Sequence, residues 1–157
     1  MQLFLDCDGV LANFDKKAEE IFGMHPREFE KLYGSGTFWK TITHAPEFFY
    51  SLEMLEDAHE LFEAVKHLEP IILTGVPAHA TEWAPGQKRR WITRMFGDHV
   101  PVITCLSKNK CHHGKPGDIL IDDWHKYSSL WTNMGGIFIL HISAKNSIEI
   151  LRQMGVL

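Results

Sequence analysis

Long apolar runs are missing from this sequence. The N-terminal stretch Leu3-Phe4-Leu5 is interrupted by Asp6, too early for a secretory signal or a membrane span. Cysteine is scarce: Cys7, Cys105 and Cys111 make an odd, sparse set. Such a set predicts reduced thiols and a cytoplasmic location rather than a disulfide framework. An excess of positive charge is also missing. Lys and Arg number 16 against 20 Asp and Glu, for a net charge of -4. That balance argues against a dedicated nucleic-acid binder, and no stable nucleic-acid or membrane partner is expected. Internal repeats and low-complexity tracts are absent too. What remains is a chain of 157 residues, 45% hydrophobic, which suits one ordinary domain with a real core.

Short apolar segments alternate with amphipathic ones. Residues 2–5 read as a buried strand ended by Asp6 and Gly9. From residue 56 the rhythm is regular. A helix over 56–67 carries Ala58, Leu61-Phe62, Val65 and Leu68 on one face. Strands are predicted at 70–74, 100–106, 119–121 and 136–142, and helices at 85–96, 125–134 and 144–154, with a polar loop at 107–117. This alternation predicts a three-layer α/β/α, Rossmann-like fold around a parallel sheet. Residues 14–55 break the rhythm. They are aromatic-rich, predict a helix at 15–22, and are punctuated by Pro26, Gly34, Gly36 and Pro46, which suggests further short helices at 26–33 and 37–50. We read 1–13 and 56–157 as the core, and 14–55 as a small helical cap inserted after the first strand.

Ligands of open α/β sheets bind beyond the carboxyl ends of the strands. Asp6 and Asp8 follow the first strand, Thr74-Gly75 the second, and Asp122-Asp123 the fourth. A sheet with the first strand in its centre gathers them all. Several carboxylates so close repel one another unless a cation intervenes. Oxygen donors without clustered His or thiolate select Mg²⁺ over zinc. In such a site one carboxylate can attack phosphorus, and the Asp two residues on can move protons. Thr74 and nearby N–H groups can bind phosphoryl oxygens, and a lysine from Lys108, Lys110 or Lys115 can neutralise their charge.

Asp6-x-Asp8-Gly9-Val10, the strand ending in Thr74, a lysine before the last site strand, and Ile121-Asp122-Asp123 resemble, in order, the four motifs of the haloacid dehalogenase superfamily. The resemblance implies Asp6 as nucleophile and Asp8 as general acid/base, with Asp8 also lending a backbone oxygen to Mg²⁺. It implies side-chain ligands from Asp6 and Asp122, with Asp123 in support. Gly9, Thr74, Gly75 and a lysine would hold the phosphate. Leu106-Ser107-Lys108-Asn109-Lys110 resembles the family's lysine loop and favours Lys110. The stretch Asp6–Phe14, Trp39, Phe48-Phe49 and the run at 120–123 are similar to the 5'(3')-deoxyribonucleotidases. By that similarity Phe14 and Trp39 line a sugar or base pocket, and the substrate is a nucleoside monophosphate.

Plainer readings are weaker. A calcium loop starting at Asp6 would need an acidic or amide side chain where Val10 stands, Gly at Leu11 and Glu at Lys17. Asp122-Asp123 alone would serve as a helix cap. Cys111-His112-His113 has no second pair at zinc spacing. Lys88-Arg89-Arg90 reads as the solvated face of a helix, with substrate guidance as the functional alternative. Three other functions compete: a phosphatase of another small phosphometabolite, a phosphatase of nucleic-acid 3' ends, and a non-catalytic nucleotide-binding protein on the same fold.

Overall fold

A computed structural model describes residues 1–157. Five parallel strands, β1 (Leu3–Leu5), β2 (Ile71–Gly75), β3 (Val102–Cys105), β4 (Ile119–Asp122) and β5 (Ile137–Leu140), form one sheet in the order β3-β2-β1-β4-β5. β1 lies in the centre, as expected. Leu5 pairs with Ile72 on one side and Ile121 on the other. The backbone N–H of Asp6 donates to Ile121 O at 2.9 Å, so the ladder extends past the last apolar residue.

Side chains alternate across a pleated strand, and here the two faces have separate partners. Leu3, Leu5, Ile72, Ile119, Ile121 and Ile139 pack in the main core. There they meet α3 (Ala58–Val65), α4 (Ala84–Phe96) and α6 (Ala144–Gln153). The opposite face, Phe4, Leu73 and Leu120, packs on Trp131 of α5 (Ser128–Asn133), with Cys111 of a 3-10 turn at Ser107–His112 alongside. Each intervening residue of β1, β2 and β4 therefore points to a different helix layer. Helices on both faces of a parallel sheet give the predicted Rossmann-like architecture.

Residues 14–55 form α1 (Phe14–Phe22) and α2 (Pro26–His44), followed by turns. Asn13 caps α1 by accepting from Lys16 N, and Pro26 opens α2. Gly34 sits at φ 84°, ψ 162° and divides α2 into two helical halves, near the break expected from Gly34 and Gly36. Only glycine adopts that conformation without strain. The second half ends at His44, short of the expected residue 50. Aromatic packing holds the pair together: Phe22 stacks on Phe29 at 4.0 Å and meets Phe38 at 4.9 Å. The ends of this segment are pinned to each other. Asn13 N donates to Glu53 O and Leu55 N donates to Leu11 O, both at 2.8 Å. The 107–117 segment, expected to be a polar loop, is a 3-10 turn over its first six residues. No helix of the chain is long and apolar enough to cross a membrane.

Candidate active site

The alternation of the pleat continues into the polar residues at the carboxyl edge. Leu5 and Ile121 face the main core, so Asp6 and Asp122, one residue later, fall on the opposite face, where the 107–112 turn lies. Lys110 of that turn is buried beside both. Its Nζ donates to Asp122 Oδ2 at 2.7 Å and lies 3.0 Å from Asp6 Oδ1 without hydrogen-bond alignment. Burial works against the ammonium charge, but Asp6 and Asp122 outweigh it and hold the Lys110 pKa above its ordinary value. Lys108 and Lys115 are exposed. Of the three candidate lysines, Lys110 is the one the fold delivers to the carboxylates.

Thr74 obeys the same rule from the other side. Leu73 packs with Trp131, so Thr74 points to the α4 layer. There its Oγ1 accepts from Lys88 Nζ at 3.1 Å, and the residue is wholly buried. Lys88 also donates to Asp8 Oδ2 at 2.5 Å and lies 4.4 Å from the centroid of the Phe49 ring. Lys88 is 1% exposed. The expectation of a solvated Lys88-Arg89-Arg90 face is therefore wrong for Lys88 and right for Arg89 and Arg90, which are exposed. The signal was present: Lys88 stands four residues after Ala84, three before Trp91 and four before Ile92, all buried. A lysine in the middle of an apolar helical stripe is buried with them.

Gly9 has a φ of +80°, and a Cβ there would overlap the Asp123 carboxylate. A Cβ on Gly75 would likewise overlap the Ser107 hydroxyl. Both glycines are needed for close approach. Ser107 lines the cleft beside Gly75 and escaped the sequence reading, although the polar turn containing it did not.

The carboxylates differ in what they already hold. Asp122 Oδ2 accepts from Lys110 and its Oδ1 accepts from Trp124 N at 2.9 Å. Asp123 accepts no hydrogen bond and opens toward the cleft. Asp6 Oδ1 and Asp8 Oδ1 are buried without a hydrogen-bond partner. Partial desolvation at the cleft wall, with Asp6 and Asp122 next to it, pushes the Asp123 carboxyl up to about 8, although the residue stays in contact with solvent. Burial and Asp6 also raise Asp122, and burial raises Asp8 against the pull of Lys88. Groups so perturbed are out of balance without a positive partner. Ligand atoms of Asp6, Asp122 and Asp123 all lie within 4.8 Å of one another. The orphaned buried oxygen of Asp6, an unbonded third carboxylate and an all-oxygen donor set fit a hard divalent cation. No cluster of this kind involves Cys111, His112 or His113.

Above this floor lies a cleft of about 950 Å³. Phe14, Phe38, Trp39 and Phe49 line one part of it, and Arg27, Lys108 and Lys126 bring positive charge to it. Phe14 lies 5.2 Å from Phe48 and 6.1 Å from Trp39. Phe38 and Phe48 are buried, whereas Trp39 remains partly exposed.

The comparisons agree with this geometry. The model of the family described as "5' nucleotidase, deoxy (Pyrimidine), cytosolic type C protein" matches residues 1–152. The chain belongs to this family. It is thus a nucleotidase of the haloacid dehalogenase type, a hydrolase acting on phosphomonoester bonds. No curated protein matches the sequence. Among solved structures, a hydrolase from Streptococcus pneumoniae TIGR4 shares the fold with a TM-score of 0.59 at 11% identity. That match covers 96% of this chain and 97% of the other.

Proposed function

We propose that this nucleotidase is a Mg²⁺-dependent phosphatase of deoxynucleoside monophosphates that works through an aspartyl-phosphate on Asp6. The observation that carries the reading is the buried Asp6 carboxylate, with one oxygen unbonded, beside Lys110 at the floor of an aromatic cleft. The family's description supports nucleotides as substrates, and its word "cytosolic" supports a cytoplasmic location.

In this reading an Asp6 oxygen attacks phosphorus. The bond from phosphorus to the ester oxygen breaks, and that oxygen takes its electron pair and a proton from Asp8. Asp8, now a carboxylate, next removes a proton from a water that attacks phosphorus. The bond to Asp6 breaks, releasing inorganic phosphate and restoring the Asp6 carboxylate and the protonated Asp8. Lys110 balances the charge on the phosphoryl oxygens, and Gly9 and Gly75 let them approach the backbone; the buried Thr74, expected as a phosphate ligand, holds Lys88 instead. Asp6, Asp123 and the Asp8 backbone oxygen would hold the cation, which screens the carboxylates from one another and from the incoming phosphate. We give Asp123 the larger share of the role first assigned to Asp122, because both Asp122 oxygens already accept hydrogen bonds. Asp122 then keeps Lys110 in place. Residues 14–55 act as the cap, and Phe14 and Trp39 flank the base or sugar.

Phosphate release from a panel of nucleotides and sugar phosphates, with Mg²⁺ or chelator, tests the proposal. Asp6→Asn should lose nearly all turnover while keeping its thermal stability. Wild-type turnover by that variant would eliminate Asp6 as nucleophile. Equal rates on sugar phosphates and deoxynucleotides would eliminate the substrate class.

A further inference from the structure

Lys88 is the one buried lysine whose place the reaction above leaves unexplained. It is held from three sides: Asp8 Oδ2 at 2.5 Å, Thr74 Oγ1 at 3.1 Å and the Phe49 ring at 4.4 Å. At 1% exposure it is not placed to meet a substrate in the cleft. Burying an ammonium is costly unless it is paired, and an apolar side chain of the same length would fill the space without that cost. The carboxylate that pairs with it is itself divided. Asp8 Oδ2 is tied to Lys88, whereas Oδ1 is buried and unbonded, and the residue lines the cleft.

The helix that carries Lys88 is fixed to the turn above it. Gln87 Oε1 accepts from Phe49 N at 2.9 Å, Trp91 Nε1 donates to Leu52 O at 2.7 Å, and Arg94 donates to Tyr50 O at 2.9 Å. The ring that covers the Lys88 ammonium therefore belongs to a segment that α4 itself immobilises. An anchor on a rigid element is what orientation of a proton donor requires.

We propose that Lys88 is a positioning residue that clamps the Asp8 carboxyl through Oδ2 and so fixes its orientation toward the leaving-group oxygen of the substrate. This rests on Asp8 serving as the proton donor. The clamp takes no part in phosphate binding, so its loss damages proton delivery alone.

Leaving-group chemistry separates the possibilities. A deoxynucleoside leaves as a poor alkoxide and needs the proton; a nitrophenolate leaves without it. We would measure kcat/KM on a deoxynucleoside 5'-monophosphate and on p-nitrophenyl phosphate, for wild type, Lys88→Met and Asp8→Asn in the same Mg²⁺ buffer. Proton donation contributes roughly 10²–10⁴-fold. Lys88→Met should lose about 10²-fold on the nucleotide and under about tenfold on the aryl ester, following Asp8→Asn. In the Asp8→Asn background the Met substitution should leave the ratio of the two rates unchanged. Lys88→Gln, too short to reach Asp8, supplies the same comparison if the Met variant does not fold. Equal losses on both esters, or none, with Asp8→Asn still discriminating, would overturn the clamp alone. An unaltered ratio in Asp8→Asn would remove the proton-donor reading and the clamp with it.

Discussion

Gly9→Ala tests two features at once, a backbone conformation and the seat of Asp123. At φ +80° an alanine is held in the left-handed region, at a cost of roughly 1–2 kcal/mol. The new methyl also overlaps the Asp123 carboxylate, which must leave its rotamer at a further cost of about 0.5–1.5 kcal/mol. The sum, about 1.5–3.5 kcal/mol, corresponds to a fall in Tm of roughly 5–10 °C for a chain of this size. Calorimetry or a dye-based melt reads it. The same displacement pulls a carboxylate out of the cluster, so half-maximal activity should require about tenfold or more Mg²⁺. A cycle with Asp123→Ala separates the two parts. Without the carboxylate, Gly9→Ala should cost only the backbone strain, about 1–2 kcal/mol. A Gly9→Ala protein that melts within about 1 °C of wild type and responds to Mg²⁺ unchanged would refute both the positive φ and the packing of Asp123 against Gly9.

Other perturbations bear on separate parts of the site. Asp123→Asn should weaken Mg²⁺ binding, followed by isothermal titration, more than Asp122→Asn does; the opposite order would return the main ligand role to Asp122. Trp39→Ala should raise KM for deoxynucleotides by about 5–150-fold, from roughly 1–3 kcal/mol of stacking, and leave p-nitrophenyl phosphate nearly unaffected. His141 is buried and bonded to Ser147 Oγ at 2.8 Å, and burial lowers its pKa below the ordinary 6.5 despite Asp57 nearby. Its contribution to stability is then complete above pH 6.5 and is lost as pH falls from there through the lowered folded value. His141→Gln should flatten that part of the stability curve, by at most about 1.4 kcal/mol per pH unit, as read by urea unfolding at several pH values.

The sheet was legible because its strands are short apolar runs between polar edges, and β1 and β4 leave no other reading. Asp6, Asp8 and Asp122-Asp123 were legible from their place at strand ends. Which lysine faces them was legible only through the resemblance of the 106–110 loop, which favoured Lys110; from the residues alone Lys108, Lys110 and Lys115 differ only by position, and the curl of the 107–112 turn buries Lys110. Lys88 was hidden by Arg89 and Arg90, whose charge dominates a linear reading although they lie on another side of the helix. Gln87 and Arg94, which grip the 47–52 turn, carry no local signal, because their partners are about forty residues away in the chain. The division of labour between Asp122 and Asp123 depends on hydrogen bonds to Lys110 and Trp124 that only the folded chain defines.

The strict alternation of the strand ends sets the chain's tolerance to insertions and deletions. One residue added between Leu5 and Asp6 would not merely lengthen a loop. It would turn Asp6 from the side of Lys110 to the side of Lys88, leaving the apolar strand intact and the chemistry inverted. The same addition after Gly23 or beside Gly34 would enter a segment whose ends are pinned at Asn13 and Leu55 and whose middle already bends. Among descendants of this sequence, length should therefore drift in residues 14–55 and stay constant at the strand tips, whatever happens to the side chains between them.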